Sequence, residues 1–148
     1  MSTIEKSNEV NVPLRTAYNQ WTQFEEFPRF MEGVKEVTQL DDTHLHWKAE
    51  VLGQEQEWDA EITEQAPDQR IAWTSRSGAI NGGVVTFHRL LDASSKVMLQ
   101  LEYEPQGLVE NVGDASGAVS LRVQGDLDRF KEFIEARGRE TGSWRGRV

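Results

Sequence analysis

The 148-residue chain contains no cysteine, which excludes disulfides, thiol nucleophiles and thiolate metal sites. It also lacks any run of about 18 apolar residues, the length that a membrane-spanning helix requires. Its first residues, Met1 to Asn11, are polar and contain no signal-peptide core. We therefore expect a protein that resides in the cytoplasm and does not span a membrane.

Basic residues are scarce, since 16 Lys and Arg stand against 25 Asp and Glu for a net charge of −9. Nucleic acid is not an expected partner, because phosphate contacts need clustered basic side chains. The end of the chain is the exception, with Arg137, Arg139, Arg145 and Arg147 among several glycines. We expect one domain over residues 1–137 and a flexible basic tail over 138–148. The alternative is a basic arm that contacts a partner, which would allow a homodimer.

Most of the chain alternates apolar and polar residues with the period of a β-strand. The pattern predicts a first strand over residues 3–12 and two short helices after Pro13. Short turns separate the later candidate strands, so we expect them to form an antiparallel meander. These six strands are Val34 to Leu40, Thr43 to Leu52, Gln54 to Gln65, Arg70 to Ser75, Val84 to Leu90 and Val97 to Glu104.

Apolar residues in the last long segment recur at steps of three or four and predict one helix of roughly 30 residues over 106–135. They are Leu108, Val112, Ala115, Val119, Val123, Leu127, Phe130 and Ile134. A lone long helix can bury such a stripe only against a curved sheet or against a partner. Packing on the concave face of the predicted sheet would form a container.

The predicted register places large aromatic side chains on the inner face of the sheet. With Gly53-Gln54 as a two-residue turn, Ala49 lies opposite Trp58 and Trp47 opposite Ala60. The facing helix is rich in glycine, alanine and serine in its first half, which leaves either close packing or an empty cavity. For the cavity we predict the ligand-binding residues Trp47, Trp58, Trp73, Ser75, Phe87, Tyr103, Val112, Ser116 and Val119.

Polar candidates for catalysis or metal binding are assigned to the outer face. His44 and His46 point away from Trp47, and we expect His46 to pair with Glu61 on the neighbouring strand. The alternating carboxylates from Glu55 to Glu61 are typical of a solvent-exposed face. Because successive strand side chains alternate faces, His88 is also expected on the outer face. We therefore predict no metal and no other cofactor, and we assign no catalytic residue.

Several segments resemble a known family over nearly the whole chain. They are Val10-Asn11-Val12-Pro13, Ala17-Tyr18 with Trp21 and Phe24, Phe27-Pro28-Arg29-Phe30-Met31, Trp58 to Glu64, Pro67-Asp68, Ile71-Ala72-Trp73 and Gly125 to Lys131. Together they resemble the polyketide cyclase/dehydrase branch of the START-like, helix-grip superfamily. The resemblance implies an α+β helix-grip fold, in which a seven-stranded bent antiparallel sheet wraps around a long C-terminal helix.

Members of this superfamily bind or transport hydrophobic ligands, cyclise polyketides, or assist quinone- and ribosome-linked processes. The resemblance thus implies binding of a small hydrophobic, polyketide-like or aromatic molecule between sheet and helix. Cyclase or dehydratase activity is a subordinate expectation, with Tyr103 or Arg122 polarising a carbonyl. The alternative is a non-enzymatic interaction module that acts through the helix groove or the basic tail.

Overall fold

The computed structural model describes residues 2–51, 54–75, 80–103 and 115–148. In this part of the chain, seven antiparallel strands form one sheet in the order β1-β7-β6-β5-β4-β3-β2. Their bounds are β1 (Ser2–Val10), β2 (Val34–Gln39), β3 (His44–Val51), β4 (Gln54–Ala66), β5 (Arg70–Ser75), β6 (Ile80–Leu91) and β7 (Ser94–Tyr103). The predicted meander is confirmed, and β1 closes on β7 at its far side.

The long helix α2 (Ala115–Arg137) lies in the concave face of the sheet. The C-terminal half of the predicted apolar stripe is buried there, which confirms that part of the prediction: Val123, Leu127, Phe130 and Ile134. Leu121, on the opposite side of α2, is 77% exposed. Leu108 and Val112, where the helix was predicted to begin, fall outside the described residues. No helix in the described ranges is long and apolar enough to cross a membrane.

Two short helices fill one end of the space between the sheet and α2. Helix α1 (Leu14–Trp21) begins after Pro13, whose fixed φ and missing N–H suit a helix start, and the 3₁₀ helix Phe24–Arg29 follows it. Ring contacts join α1 and the residue that follows the 3₁₀ helix to α2, with centroids 4.9 Å apart for Trp21–Phe130 and 5.2 Å for Phe30–Phe130. This end of the fold is therefore packed with side chains.

The predicted register between β3 and β4 is wrong by two residues. Trp47 lies opposite Trp58, and Ala49 lies opposite Gln56, because Val51 pairs with Gln54. A shift of two residues preserves the face on which each side chain lies, so both tryptophans still point inward. The next hairpin has the predicted pairs, Ala60 with Ser75 and Ile62 with Trp73.

The segment 138–148 runs back across α1 and the turn between β4 and β5. The backbone of Val148 exchanges two hydrogen bonds with Gln65, at 3.1 and 3.3 Å. Arg145 donates to Asn19 Oδ1 at 2.6 Å and to Asp68 Oδ2 at 2.7 Å. The predicted flexibility of this tail concerns motion and stays a prediction, but the segment has defined contacts with the domain.

Candidate functional site

A cavity of about 150 Å³ lies between the sheet and α2. Its sheet side includes the rings of Trp47, Trp58 and Trp73. Val123 and Leu127 of α2 line the opposite side, and the segment around the 3₁₀ helix adds Phe24, Phe27 and Met31. Apolar side chains thus form most of the described lining.

The structure brings together three of the predicted ligand-binding residues and separates two others from them. Trp47, Trp58 and Trp73 line the cavity. Phe87 instead packs on Tyr18 of α1, with ring centroids 5.2 Å apart, so it belongs to the packed end of the core. Ser75 is outside the described lining, and its buried Oγ has no hydrogen-bond partner among the described residues. Val112 and the side chains of Tyr103, Ser116 and Val119 lie outside what the structure describes.

The two glycines that precede Val84 explain how Trp73 fits into the wall. Gly82 and Gly83 lie before the predicted strand Val84 to Leu90, but they belong to β6 and pair with Thr74 and Trp73. A Cβ on Gly83 would lie 3.0 Å from the Trp73 ring and 2.5 Å from the carbonyl oxygen of Gln100. Glycine is therefore required where the indole crosses the backbone of β6.

Two charged residues of α2, Arg122 and Asp126, interrupt the apolar lining. Arg122 Nη1 donates to the carbonyl of Glu50, and Nη2 donates to the carbonyl of Glu32, both at 2.5 Å. Arg122 therefore ties α2 to the end of β3 and to the turn before β2. Because both terminal nitrogens already donate to backbone carbonyls, the guanidinium is held by the fold at this edge of the cavity.

Asp126 is a charged cavity residue that the sequence analysis did not assign to the site. Its Oδ1 accepts a hydrogen bond from the backbone N–H of Glu32 at 3.0 Å and another from Arg129. The side chain is only 15% exposed. Burial raises the pKa of this carboxyl, and the hydrogen bond from Arg129 opposes that rise. The spacing of Arg122, Asp126 and Arg129 at four and three residues was the available signal, because it places all three on one helix face.

Two polar atoms of the lining are left without a protein partner in the described part of the chain. The Nε1 of Trp47 is buried and has no acceptor. Asp126 receives its described hydrogen bonds at Oδ1, which leaves Oδ2 without a donor. Two lining residues, Trp47 and Asp126, therefore each have one polar atom without a described protein partner.

The outer face of the sheet carries a separate group of polar residues. His46 Nδ1 lies 2.8 Å from Asp59 and Nε2 lies 3.0 Å from Glu57, so the expected pairing with Glu61 is wrong. These two hydrogen bonds raise the pKa of His46, that to Asp59 more than that to Glu57. The two-residue shift in register explains the change of partner, since His46 lies opposite Asp59 and His44 lies opposite Glu61. The described residues contain no group of three potential ligands arranged to hold a metal ion.

Comparisons with solved structures show that the fold is shared with known helix-grip proteins. The Zhui aromatase/cyclase from Streptomyces sp. R1128 aligns with a TM-score of 0.77 at 15% identity, over 97% of this chain and 99% of that one. A START superfamily protein from Mycobacterium smegmatis aligns with a TM-score of 0.70 at 17% identity, over 91% and 95%. The DR_A0006 protein from Deinococcus radiodurans aligns with a TM-score of 0.71 at 26% identity, over 93% and 99%.

Sequence comparisons identify the family. An uncharacterized 17.2 kDa protein in the melC2-rnhH intergenic region of Streptomyces lincolnensis is 58% identical over 149 residues, which cover 100% of this chain and 99% of that protein. The model of the family described as polyketide cyclase / dehydrase and lipid transport matches residues 10–132. The chain therefore belongs to the polyketide cyclase / dehydrase and lipid transport family, and it has that family's α+β helix-grip fold.

Proposed function

We propose that the protein binds one small hydrophobic, ring-containing molecule in the cavity between the sheet and α2. The observation that carries this proposal is an apolar space of about 150 Å³ bounded by Trp47, Trp58 and Leu127. Engineered apolar cavities of about 150 Å³ in other proteins stay dry and take up benzene. The volume therefore suits a single ring with a small substituent.

The chemistry of the wall favours an aromatic guest. Trp47 and Trp58 present parallel faces, and Phe27 is 5.6 Å from Trp47 by ring centroids. Aromatic pairs gain roughly 0.5–1.5 kcal/mol beyond the burial of apolar area. Leu127 and Val123 line the opposite side of the cavity. A ring between the tryptophans and α2 would thus make favourable contacts on both of its sides.

The second part of the proposal concerns chemical conversion of the bound ligand. The family description joins cyclisation, dehydration and lipid transport, and one structural relative is named an aromatase/cyclase. If this protein also transforms its ligand, the cavity would fold the substrate and exclude water during ring closure or loss of water. Pockets for drug-sized ligands measure about 300 Å³ or more. The smaller volume here favours binding of a compact ligand over folding of a long polyketide chain.

The competing proposal is an interaction module that contacts a protein through the helix groove or the basic tail. The described contacts of that tail favour ligand binding instead. Arg145 is engaged with Asn19 and Asp68, and its guanidinium lies 5.5 Å above the ring of Tyr18. A partner that used this arginine would first have to displace it from the protein's own surface.

Binding can be tested by titrating the protein with toluene and following tryptophan emission. Val123→Phe adds bulk to the cavity wall, and Leu121→Phe makes the same substitution type at the 77% exposed side of α2. We expect saturable binding by the wild type and by Leu121→Phe, and at least tenfold weaker binding by Val123→Phe. Ala49→Val provides a smaller filling substitution, and circular dichroism checks that each variant is folded.

Absence of saturable binding by the folded wild type would overturn the proposal. Equal toluene affinity in Val123→Phe and in the wild type would move the binding site away from this cavity. Native mass spectrometry of protein purified from its own host then identifies the natural ligand. We expect a one-to-one adduct whose mass corresponds to a small hydrophobic molecule.

A further inference from the structure

We propose that Asp126 selects ligands that carry a hydroxyl group on their ring, and that the indole N–H of Trp47 makes a second polar contact with the ligand. This inference rests on the proposed function. It assigns a recognition role to two atoms that have no protein partner in the described part of the chain.

The carboxyl group of Asp126 is fixed in position from one side. The Glu32 N–H donates to Oδ1 at 3.0 Å, and Arg129 donates to the same oxygen. Arg129 is itself held, because its Nε donates to the carbonyl of Phe30 at 3.0 Å. Two residues thus orient the carboxyl group through Oδ1, while no described residue donates to Oδ2.

The neighbouring side chain of Arg122 does not donate a hydrogen bond to Oδ2 of Asp126. Arg122 precedes Asp126 by one helical turn, but its terminal nitrogens donate to the carbonyls of Glu50 and Glu32. The other described lining residues are apolar or are tryptophans, and none of them donates a hydrogen bond to Asp126. Asp126 is partly exposed, so water can hydrate Oδ2. A ligand that covers this oxygen removes that water, which is costly unless the ligand supplies a donor. A ligand hydroxyl supplies the missing donor, whereas a hydrocarbon leaves the acceptor unpaired.

Trp47 provides the complementary group. Its Nε1 is buried, has no acceptor among the described residues, and belongs to a ring that lines the cavity. The parallel contact with Trp58, at 5.8 Å between ring centroids, fixes the plane in which this N–H lies. An oxygen on the ligand can accept from it, because indole donates and does not accept.

The ligand class that follows is a compact aromatic alcohol. Sites that hydrogen-bond a ligand hydroxyl discriminate strongly against analogues that lack it, because their buried polar groups are then left unpaired. Phenol and toluene form a matched pair of probes, since they differ only by a hydroxyl in place of a methyl group. Their relative affinity reports on the polar contact, and the affinity for toluene reports on the cavity itself.

The experiment measures both affinities by calorimetry for the wild type, Asp126→Asn and Asp128→Asn. Asp128 is exposed on the same helix and bonds Asn8, so it provides a charge-matched control. We expect the wild type and Asp128→Asn to bind phenol at least tenfold more tightly than toluene. In Asp126→Asn that preference should fall below threefold while the affinity for toluene is retained.

A second measurement uses the wild type alone and does not depend on the folding of a variant. Phenol should shift the Trp47 indole N–H proton downfield in the NMR spectrum, and toluene should leave it without such a shift. Equal affinities for the two probes would overturn the inference while leaving the proposed function intact. A phenol preference retained in Asp126→Asn would overturn the role of Asp126. Failure to bind either probe would overturn the proposed function itself.

Discussion

The indole rings of Trp47 and Trp58 face each other across β3 and β4, within 4° of parallel and with centroids 5.8 Å apart. Both residues line the cavity on the concave side of the sheet. Because strand side chains alternate faces, the residues that flank each tryptophan point to the outer surface. The same pair therefore fixes the register of the hairpin and provides a wall of the cavity.

Removing one ring should measure how much this wall contributes to stability. We expect Trp58→Ala to lower the free energy of unfolding by about 3 kcal/mol or more, because it deletes a large buried side chain and enlarges the cavity. Thr74→Ala, at an exposed position of β5, should change it by less than about 0.5 kcal/mol. Urea denaturation measures both. Similar values for the two variants would show that the tryptophan pair does not stabilise the sheet.

Two glycines with positive φ allow the link between α2 and the β2 edge to be tested. Gly33 has φ +82°, and a Cβ there would lie 2.1 Å from Arg122 Nη2 and 2.6 Å from the Glu50 carbonyl oxygen. Gly138 has φ +73°, with nothing within 4 Å of such a Cβ. Alanine at Gly138 should cost roughly 1–2 kcal/mol of backbone strain.

Gly33→Ala should cost more than Gly138→Ala, because crowding of Arg122 and the Glu50 carbonyl adds to the backbone strain. Thermal or chemical denaturation of the two variants gives the comparison. Equal losses of stability would mean that the contact of Arg122 with the turn before β2 contributes nothing beyond the local backbone conformation.

His46 should make stability depend on pH in a defined direction. Its pKa is raised by the hydrogen bond to Asp59 and, to a smaller extent, by that to Glu57. Protonated His46 therefore stabilises the fold below the unfolded-state pKa of histidine, and this contribution is lost as the pH rises through the folded-state pKa. As the pH rises from the unfolded-state pKa through the folded-state pKa, the wild type should lose its advantage in unfolding free energy over His46→Gln.

An NMR titration of the His46 ring tests the same assignment directly. We expect Asp59→Asn to lower the His46 pKa more than Glu57→Gln, because the bond to Asp59 is the larger cause of the shift. The opposite order, or a pKa that neither substitution changes, would contradict the hydrogen-bond arrangement on the outer face.

Arg145 should hold the C-terminal segment against α1. Its replacement by alanine removes the bonds to Asn19 and Asp68 and the contact with the Tyr18 ring. We expect faster amide hydrogen exchange at Val148, whose N–H donates to the Gln65 carbonyl at 3.1 Å. Arg139→Ala, at an exposed position of the same segment, should leave that rate unchanged. Equal exchange in both variants would support the predicted flexible tail.

The sequence predicted the order of elements and the inward side of most strands, because both depend on short-range periodicity. Period-two alternation identified Trp47, Trp58 and Ile62 as inward residues, and the turn at Pro67 set the pairing of Ile62 with Trp73. A shift of two residues leaves every side chain on the same face, however, so the alternation of faces cannot detect it. The rule that large residues pair with small ones favoured Ala60 opposite Trp47, whereas the fold stacks the two indoles.

The candidate site was predicted less completely, because its polar part depends on contacts between residues that are distant in sequence. Helical spacing places Asp126 on one face with Arg122 and Arg129, but its place in the cavity depends on the turn at Glu32, which lies against α2. Phe87 has the expected parity but lies under Tyr18, at the packed end of the core. Periodicity gives the face on which a side chain lies, and the tertiary arrangement decides which part of that face stays empty.

A crystal structure of the protein with bromobenzene would test the central claim most directly, because anomalous scattering locates the bromine atom directly. We predict one strong bromine peak in the cavity, with the ring between Trp47 and Trp58 on one side and Leu127 on the other. A cavity filled by the protein's own side chains, or bromine found only on the outer surface, would contradict the account.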